Sequence, residues 1–582
     1  MGRAPASSPP RLGRPPKARG PRTSRAALLR ELISLKLQFG SQAAARKRVA
    51  LRSLDREELG AHELFTLHEL LCFWRAYPDD ASLLRQVERM LRSFANRGDL
   101  RIHAEKLADS GIAGTAIRYA FYADTARWLA HRWPASIAID WPRFERADRL
   151  EELLPLLAHP AEIPALDELA LPPRDWLRRM RGSRTSDAAF LALRFAELPM
   201  SDLAREILYD QLDVPWVLSP GADTPSRTLA QARVGRAPIA FQRRALARER
   251  PSTDQILRLR PRAVRTLSPA DGAHLVDLAR AAMVTRARDL DVFSYADRRD
   301  VRLVDFGHGL QFACMGARPE RRLLLEAVYG YLTLKNGVPI GYVLTSTLFG
   351  SAEMAYNVFD PWRGAEAGPI YARVLAMTRH LFGCDTFTIV PYQLGEGNDE
   401  AIDSGAWWFY QKMGFRPRAS AAVSLMKREL SRARREPLRR SSVATLRRLA
   451  RHTLHLDLGR RRDDVLGRLE LPNVGLHAMR FLGTRYGADR ERAAEDCAAQ
   501  ATALLGVSIT GWSADESQAF DRWAPLILLL PGIEKWSAPE KAALAEVARA
   551  KGGRREADFV RRFDEHRKLR RAIVSLAAQE PR

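Results

Sequence analysis

The side chains able to do chemistry crowd into one stretch of this chain. Tyr392-Gln393, Glu396, Asn398, Asp399, Glu400, Asp403 and Ser404 form a dense polar run. Glu396 or Glu400 could serve as a general base or hold a cationic amine, and Glu353 upstream is another candidate base. The competing reading is structural: Ser404 or Asp403 caps the next helix, with the acids at its positive end. Further upstream, Arg363-Gly364-Ala365-Glu366-Ala367-Gly368 leads into a helix beginning near Gly368. The unpaired N–H groups of a helix start suit a pyrophosphate, and Arg363 would add charge-assisted contacts. Other chemistries lack their motifs. There is no GxxxxGK[ST], GxGxxG or GxSxG, so an ATPase, a dinucleotide enzyme or a serine hydrolase has no support. His62-Glu63 with His68 is not a zinc motif, because Thr66 stands where the second ligand belongs.

The elements that must position these residues can be read from periodicity. Ala327–Leu334 alternates as a strand, and Asn336-Gly337 is a two-residue hairpin turn. Pro339–Leu348 is the return strand. A third strand runs from Glu353 to Phe359 and ends at Asp360-Pro361. Ile370, Val374, Met377 and Leu381 share one helical face over Ile370–Phe382, stopped by Gly383. Thr386–Val390 is a strand closed by Pro391. A loop with Gly395 and Gly397 leads to a helix predicted over Ala401–Met413, stopped by Gly414.

This order resembles the GNAT (Gcn5-related N-acetyltransferase) fold over roughly residues 265–428. Val338-Pro339-Ile340-Gly341-Tyr342 looks like the family's strand after a hairpin. Phe359-Asp360-Pro361-Trp362-Arg363-Gly364 looks like the start of its acyl-CoA motif, and Ala406 to Phe415, AWWFYQKMGF, is similar to its closing helix. The resemblance implies acyl transfer from acetyl-CoA to an amine on a small molecule or protein, without a metal. Phe359, Arg363, Gly364, Ala367 and Gly368 would hold the cofactor. Tyr410 would protonate the leaving thiolate, with Glu353 or Glu400 as base and Tyr392, Glu396 and Asn398 toward the substrate. Trp362 and Arg363 are expected exposed at a turn. Three features depart from the family pattern. Glu366 stands where a glycine normally lets backbone approach phosphate, and its carboxylate would repel a pyrophosphate unless it turns away. The loop Pro391–Gly405 is longer than usual. Ala419–Arg435 reads as helix where the family has a closing hairpin, and Leu454–Leu458 could return a strand to the sheet. A GNAT-like transferase using aminoacyl-tRNA, or an inactive binding scaffold, are the alternatives.

Composition frames this reading. The chain has 582 residues, with 93 Lys+Arg against 69 Asp+Glu, a formal charge of +24, and 46% hydrophobic residues. That balance excludes a mostly disordered or collagen-like chain and implies several domains. The expected class is α+β multidomain: a basic tail over 1–25, a helical domain over 26–212, an Arg-rich linker over 213–262, a GNAT-like mixed sheet with helices over 263–428, and a helical domain over 436–580. The linker could pack along a neighbour or lie exposed. The longest apolar run, near Trp523–Ile533, is too short to cross a bilayer, and no apolar segment of a signal peptide follows the basic N-terminus. Cys72, Cys314, Cys384 and Cys497 form no CxxC pair, which points to a reducing compartment, most simply the cytoplasm. The positive charge marks either a nucleic-acid partner such as tRNA or a solvated basic surface.

Overall fold

A computed structural model describes residues 24–234 and 237–580; most of the basic tail expected over 1–25 lies outside these residues. The fold is mixed α/β, with one large mixed sheet, one small sheet and many helices. The small sheet joins β1 (Ile117–Ala120), β2 (Ile137–Ile139) and β3 (Pro215–Leu218) in the order β1-β3-β2. It interrupts the stretch expected to be wholly helical. Strands of three or four residues are too short to show an alternation in sequence.

The large sheet has nine strands. β4 (Ala263–Thr266), β5 (Ala296–Asp305) and β6 (Leu310–Ala317) precede β7 (Ala327–Lys335), β8 (Val338–Leu348) and β9 (Ser351–Val358). β10 (Thr386–Ile389), β11 (Arg416–Pro417) and β12 (Leu454–Asp457) complete it in the order β11-β12-β10-β9-β8-β7-β6-β5-β4. β4 to β6 were not expected. β6 is buried along its whole length, so it lacks the alternation of a half-exposed strand. The β7–β8 turn has Asn336 at φ 51° and Gly337 at φ 78°, the left-handed pair that a tight hairpin needs. The strand expected near Leu454–Leu458 does enter the sheet, between β10 and β11. The helix expected over Ala401–Met413 is broken into Asp399–Asp403 and Ala406–Lys412. The break falls at Gly405, whose φ of 68° leaves the helical region.

The basic linker begins as β3 and then packs as a strap. The Arg75 guanidinium donates to the carbonyls of Thr228 at 2.6 Å, Arg227 at 3.1 Å and Ala230 at 3.2 Å. Arg227 pairs with Glu69 at 2.5 Å. At the far end of the chain, a buried polar network joins the last helices to the sheet. The Tyr329 hydroxyl donates to Asp300 at 2.7 Å and accepts from the Ala557 N–H at 2.8 Å. Lys551 pairs with Glu556 at 2.5 Å. The Gly350 N–H, at the β8–β9 turn, donates to Asp564 at 3.0 Å.

Burial pushes the Asp564 carboxyl from its ordinary 3.8 to about 7, against the pull of Arg570 and Arg462. The folded state therefore holds this proton more tightly than the unfolded chain, and stability falls as pH rises from about 4 to 7. Asp564→Asn keeps an acceptor for Gly350 and buries no charge. Its melting temperature minus that of the wild type should climb across that window and level off above it. A difference that does not vary with pH would refute the assignment.

Candidate functional site

The large sheet splits at one place. β9 and β10 run parallel but pair only through Ser351↔Thr386, Ala352↔Phe387 and Glu353↔Thr388. β10 then follows β12 to Ile389↔Leu454, whereas β9 continues along β8 to Val358↔Gly341. Pro391 ends β10 and starts a helical turn, Pro391–Leu394, that leads the chain away. From Met354 onward, β9 has no strand on its outer side. A cleft of about 250 Å³ opens there. Tyr356, Asn357 and Val358 form one wall, Arg363, Gly364 and Ala367 the end at the helix start, and Gln393, Asn398, Glu400, Phe409 and Tyr410 the opposite wall.

Tyr410 is held by packing. It lies on the helix Ala406–Lys412 with Trp407 and Gln411 on the buried side. Its ring meets Tyr371 at 5.6 Å and Phe415 at 5.8 Å between centroids. Only 3% of the residue is exposed. Burial pushes the phenol well above its ordinary pKa, and the backbone N–H of Tyr356 on the split strand works in the other direction. At neutral pH the phenol therefore keeps its proton, beside the unpaired edge of β9.

The helix start at the end of the cleft belongs to Ala367–Phe382. The Ile370 N–H donates to the Glu366 carbonyl at 2.9 Å, and Pro369 has no N–H. Among the described hydrogen bonds, none uses the N–H of Ala367 or Gly368. Glu366 turns away from this start: its carboxylate lies 3.6 Å from the Lys335 ammonium. Burial pulls the Lys335 pKa down, and Glu366 raises it back in part. The expected repulsion of a pyrophosphate therefore loses its source. Trp362, expected exposed, is buried, because the helix Ala61–Ala76 packs over its turn. Arg363 is half exposed and bridges the cleft. It reaches Glu400 at 2.5 Å and Asp360 at 3.0 Å, and its Nε donates to the Val358 carbonyl at 3.2 Å.

The other residues singled out from sequence are scattered more widely. Glu353 sits at the last paired register before the split and does not line the cleft. Burial raises its carboxyl pKa, and Glu326 adds to the rise. Phe359 is buried under the Arg286 guanidinium, 3.6 Å from the ring centre, and is also outside the lining. Gly368 lies beside the cleft, where a Cβ would come 3.1 Å from Arg250 Cγ. Asn398 caps Asp399–Asp403 by accepting from the Ala401 N–H at 3.2 Å, so the cap is neither Asp403 nor Ser404. Tyr392 and Glu396 are exposed. Glu400 also pairs with Arg288 at 3.4 Å. Sequence reasoning missed Asn357, Phe409 and Arg288. Asn357 and Phe409 read as ordinary strand and core positions, and Arg288 comes from a distant segment that no local pattern links to the cleft.

Among the described residues, no group of three or more His, Cys, Asp or Glu side chains is placed to hold a metal ion, and no helix is long and apolar enough to cross a membrane. A second cavity, about 230 Å³, lies at the hairpin tips of Gly307–Gly309 and Asn336-Gly337 under the strap. Compared with known proteins, the chain matches no family model, no curated protein and no solved structure.

Removing the Glu366 carboxylate leaves the Lys335 ammonium buried without its counter-charge. Glu366→Ala should lower unfolding free energy by about 1–3 kcal/mol in chemical denaturation. Stability equal to the wild type would mean that the carboxylate does not face Lys335.

Proposed function

We propose that the protein is a GNAT-like N-acyltransferase that moves an acyl group, acetyl from acetyl-CoA, to an amine. The observation that carries this reading is the parallel pair β9–β10, which separates beyond Glu353↔Thr388 beside a free helix start and a buried tyrosine. The strand pairing supports it as well. β11 and β12 are antiparallel neighbours through Arg416↔His455, although two helices separate them in the chain. They pair as a closing hairpin would, without its short connection.

The residues present fit the donor. The edge of β9 from Met354 to Asn357, short of the Val358 carbonyl that Arg363 uses, offers N–H and C=O groups to an amide-bearing arm. The N–H groups of Ala367 and Gly368 and the Arg363 guanidinium suit a diphosphate. When bound, acetyl-CoA supplies an acyl group activated as a thioester. Backbone N–H groups along the cleft polarise the acyl carbonyl and stabilise negative charge on its oxygen as the amine attacks. As the carbon–nitrogen bond forms and the carbon–sulfur bond breaks, the Tyr410 phenol gives its proton to the departing sulfur, the nitrogen gives its own proton to water, and the phenolate takes one back from water. Glu366 gave reason to read the domain as an inactive scaffold. With its carboxylate on Lys335, that reason is gone.

Arg363 is shared between the proposed phosphate site and Glu400, so the two compete. Glu400→Gln should weaken that tie and lower the KM for acetyl-CoA several-fold, and an unchanged or higher KM would count against the phosphate role of Arg363. Acetyl-CoA should raise the melting temperature of the full chain, since a ligand of the folded state stabilises it. Tyr410→Phe should lower turnover by about a hundredfold while that shift persists. The reading fails if acetyl-CoA produces no shift. Full turnover in Tyr410→Phe would remove the phenol from the chemistry.

A further inference from the structure

The folding of the chain brings the middle of one arginine-rich segment and the end of another to the rim of the same cleft. Residues 243–262 carry seven arginines against Glu249 and Asp254, and residues 427–451 carry nine arginines and Lys427 against Glu429 and Glu436. Arg250, from the first segment, lies against Gly368 at the helix start. The helix that follows it, Thr253–Arg258, packs on Ala367–Phe382. The second segment includes the helix Val443–Ala450, which packs on the opposite wall, against Pro391–Leu394, Asp399–Asp403 and Ala406–Lys412. Arg447 pairs with Asp399 at 3.1 Å, and the Trp408 indole donates to Ser441 at 3.2 Å, fixing this segment to the wall. Ion pairing uses little of the charge. Arg432, Arg439 and Arg447 have carboxylate partners. Arg434, Arg435, Arg440, Arg448 and Arg451 are exposed and have no ion pair among the described residues, as do Arg248, Arg250 and Arg258 on the other rim.

Three further observations choose among polyanions. First, the charge is arginine: the whole chain has only 11 lysines. A guanidinium fork grips phosphate oxygens in pairs and stacks on bases, which an ammonium does not. Second, an aromatic side chain stands out on the same rim. Tyr392 is 58% exposed on the turn that Val443–Ala450 packs against. An exposed ring among arginines is a stacking platform for an unpaired base. Third, the cleft at about 250 Å³ admits a strand end and excludes a duplex. An anionic membrane would instead ask for an apolar face beneath the charge. In the second segment, Leu438 and Val443 are the large exposed apolar side chains among the described residues, too few to make one.

We infer that the cleft rim is a docking surface for single-stranded RNA, gripped through phosphates by Arg248, Arg250 and Arg258 on one side and by the arginines of residues 427–451 on the other, and stacked on Tyr392. The inference does not rest on the acyl-CoA reading, and acyl-CoA binding can fail without touching it.

The test is fluorescence anisotropy of a labelled single-stranded RNA of about 20 nucleotides with the full chain over a salt series. The RNA should bind with an affinity that falls steeply with salt. The triple variant Arg434→Glu, Arg435→Glu, Arg440→Glu should bind about tenfold or more weakly and flatten the salt slope by about two to three. Tyr392→Ala should weaken binding several-fold at an unchanged slope, because stacking releases no counterions. Circular dichroism and melting temperature identify any variant that fails to fold, in which case Arg448→Gln with Arg451→Gln replaces it. The proposal is overturned if the RNA does not bind at low salt, or if the charge variants bind like the wild type. Retained affinity in Tyr392→Ala overturns the stacking at the rim, and equal affinity for an RNA duplex overturns the single-strand preference. Binding to phosphatidylserine vesicles without binding to RNA would make the surface a membrane contact instead.

Discussion

The site depends on where two parallel strands stop sharing hydrogen bonds. A strand's outer edge carries a row of N–H and C=O groups that need partners. β9 satisfies them with β10 for three register pairs and then runs on alone. β10 could leave because β12 offers it an antiparallel ladder along its whole length, from Thr386↔Asp457 to Ile389↔Leu454. The late strand, contributed from beyond two helices, thus holds β10 away from β9. Pro391, which cannot continue a ladder, completes the separation. The unpaired backbone, the helix start and Tyr410 meet at the cleft because they follow the split in order along the chain.

Around this opening, buried charge is placed with economy. Glu366 and Lys335 face each other behind the helix start, away from the cleft. Taking either partner away leaves a charge in a low-dielectric site, so the pair is kept for the orientation it imposes rather than for its net stabilisation. The same reasoning applies to Lys551 with Glu556, where the last helices meet the sheet, and to Arg75, whose terminal nitrogens donate to the carbonyls of the strap. These contacts join distant parts of the chain to the central sheet. The apolar residues of the first helices, the sheet and the last helices accordingly form one continuous cluster, and those of the small sheet and its helices form a second.

Arginine has different uses in different places. Arg75 and Arg227 are buried, and their terminal nitrogens hold the strap. Arg363 crosses the cleft to Glu400 and is only half exposed. The arginines of the rim are exposed, and many have no carboxylate nearby. A different set of arginines surrounds buried His455. Burial, with Arg418, Arg468 and Arg461 adding to it, lowers its pKa to about 4, so the ring stays neutral among cations.

From its sequence alone this protein determined its local structure: the Asn336-Gly337 turn, the strand ends at Asp360-Pro361 and Pro391, the helix stop at Gly383, and the tyrosine in the helix before Gly414. Each depends on backbone preferences within a few residues, and such preferences are written locally. β4, the small sheet and β6 escaped notice because a strand of three or four residues, or one buried on both faces as β6 is, has no alternation to read. Only the tertiary structure decided that Glu366 faces Lys335, that Asn398 takes the cap, that Glu353 remains outside the cleft and that parts of both arginine-rich segments reach its rim. Those outcomes depend on which distant segments become neighbours, and pairing across hundreds of residues leaves no periodicity in the chain.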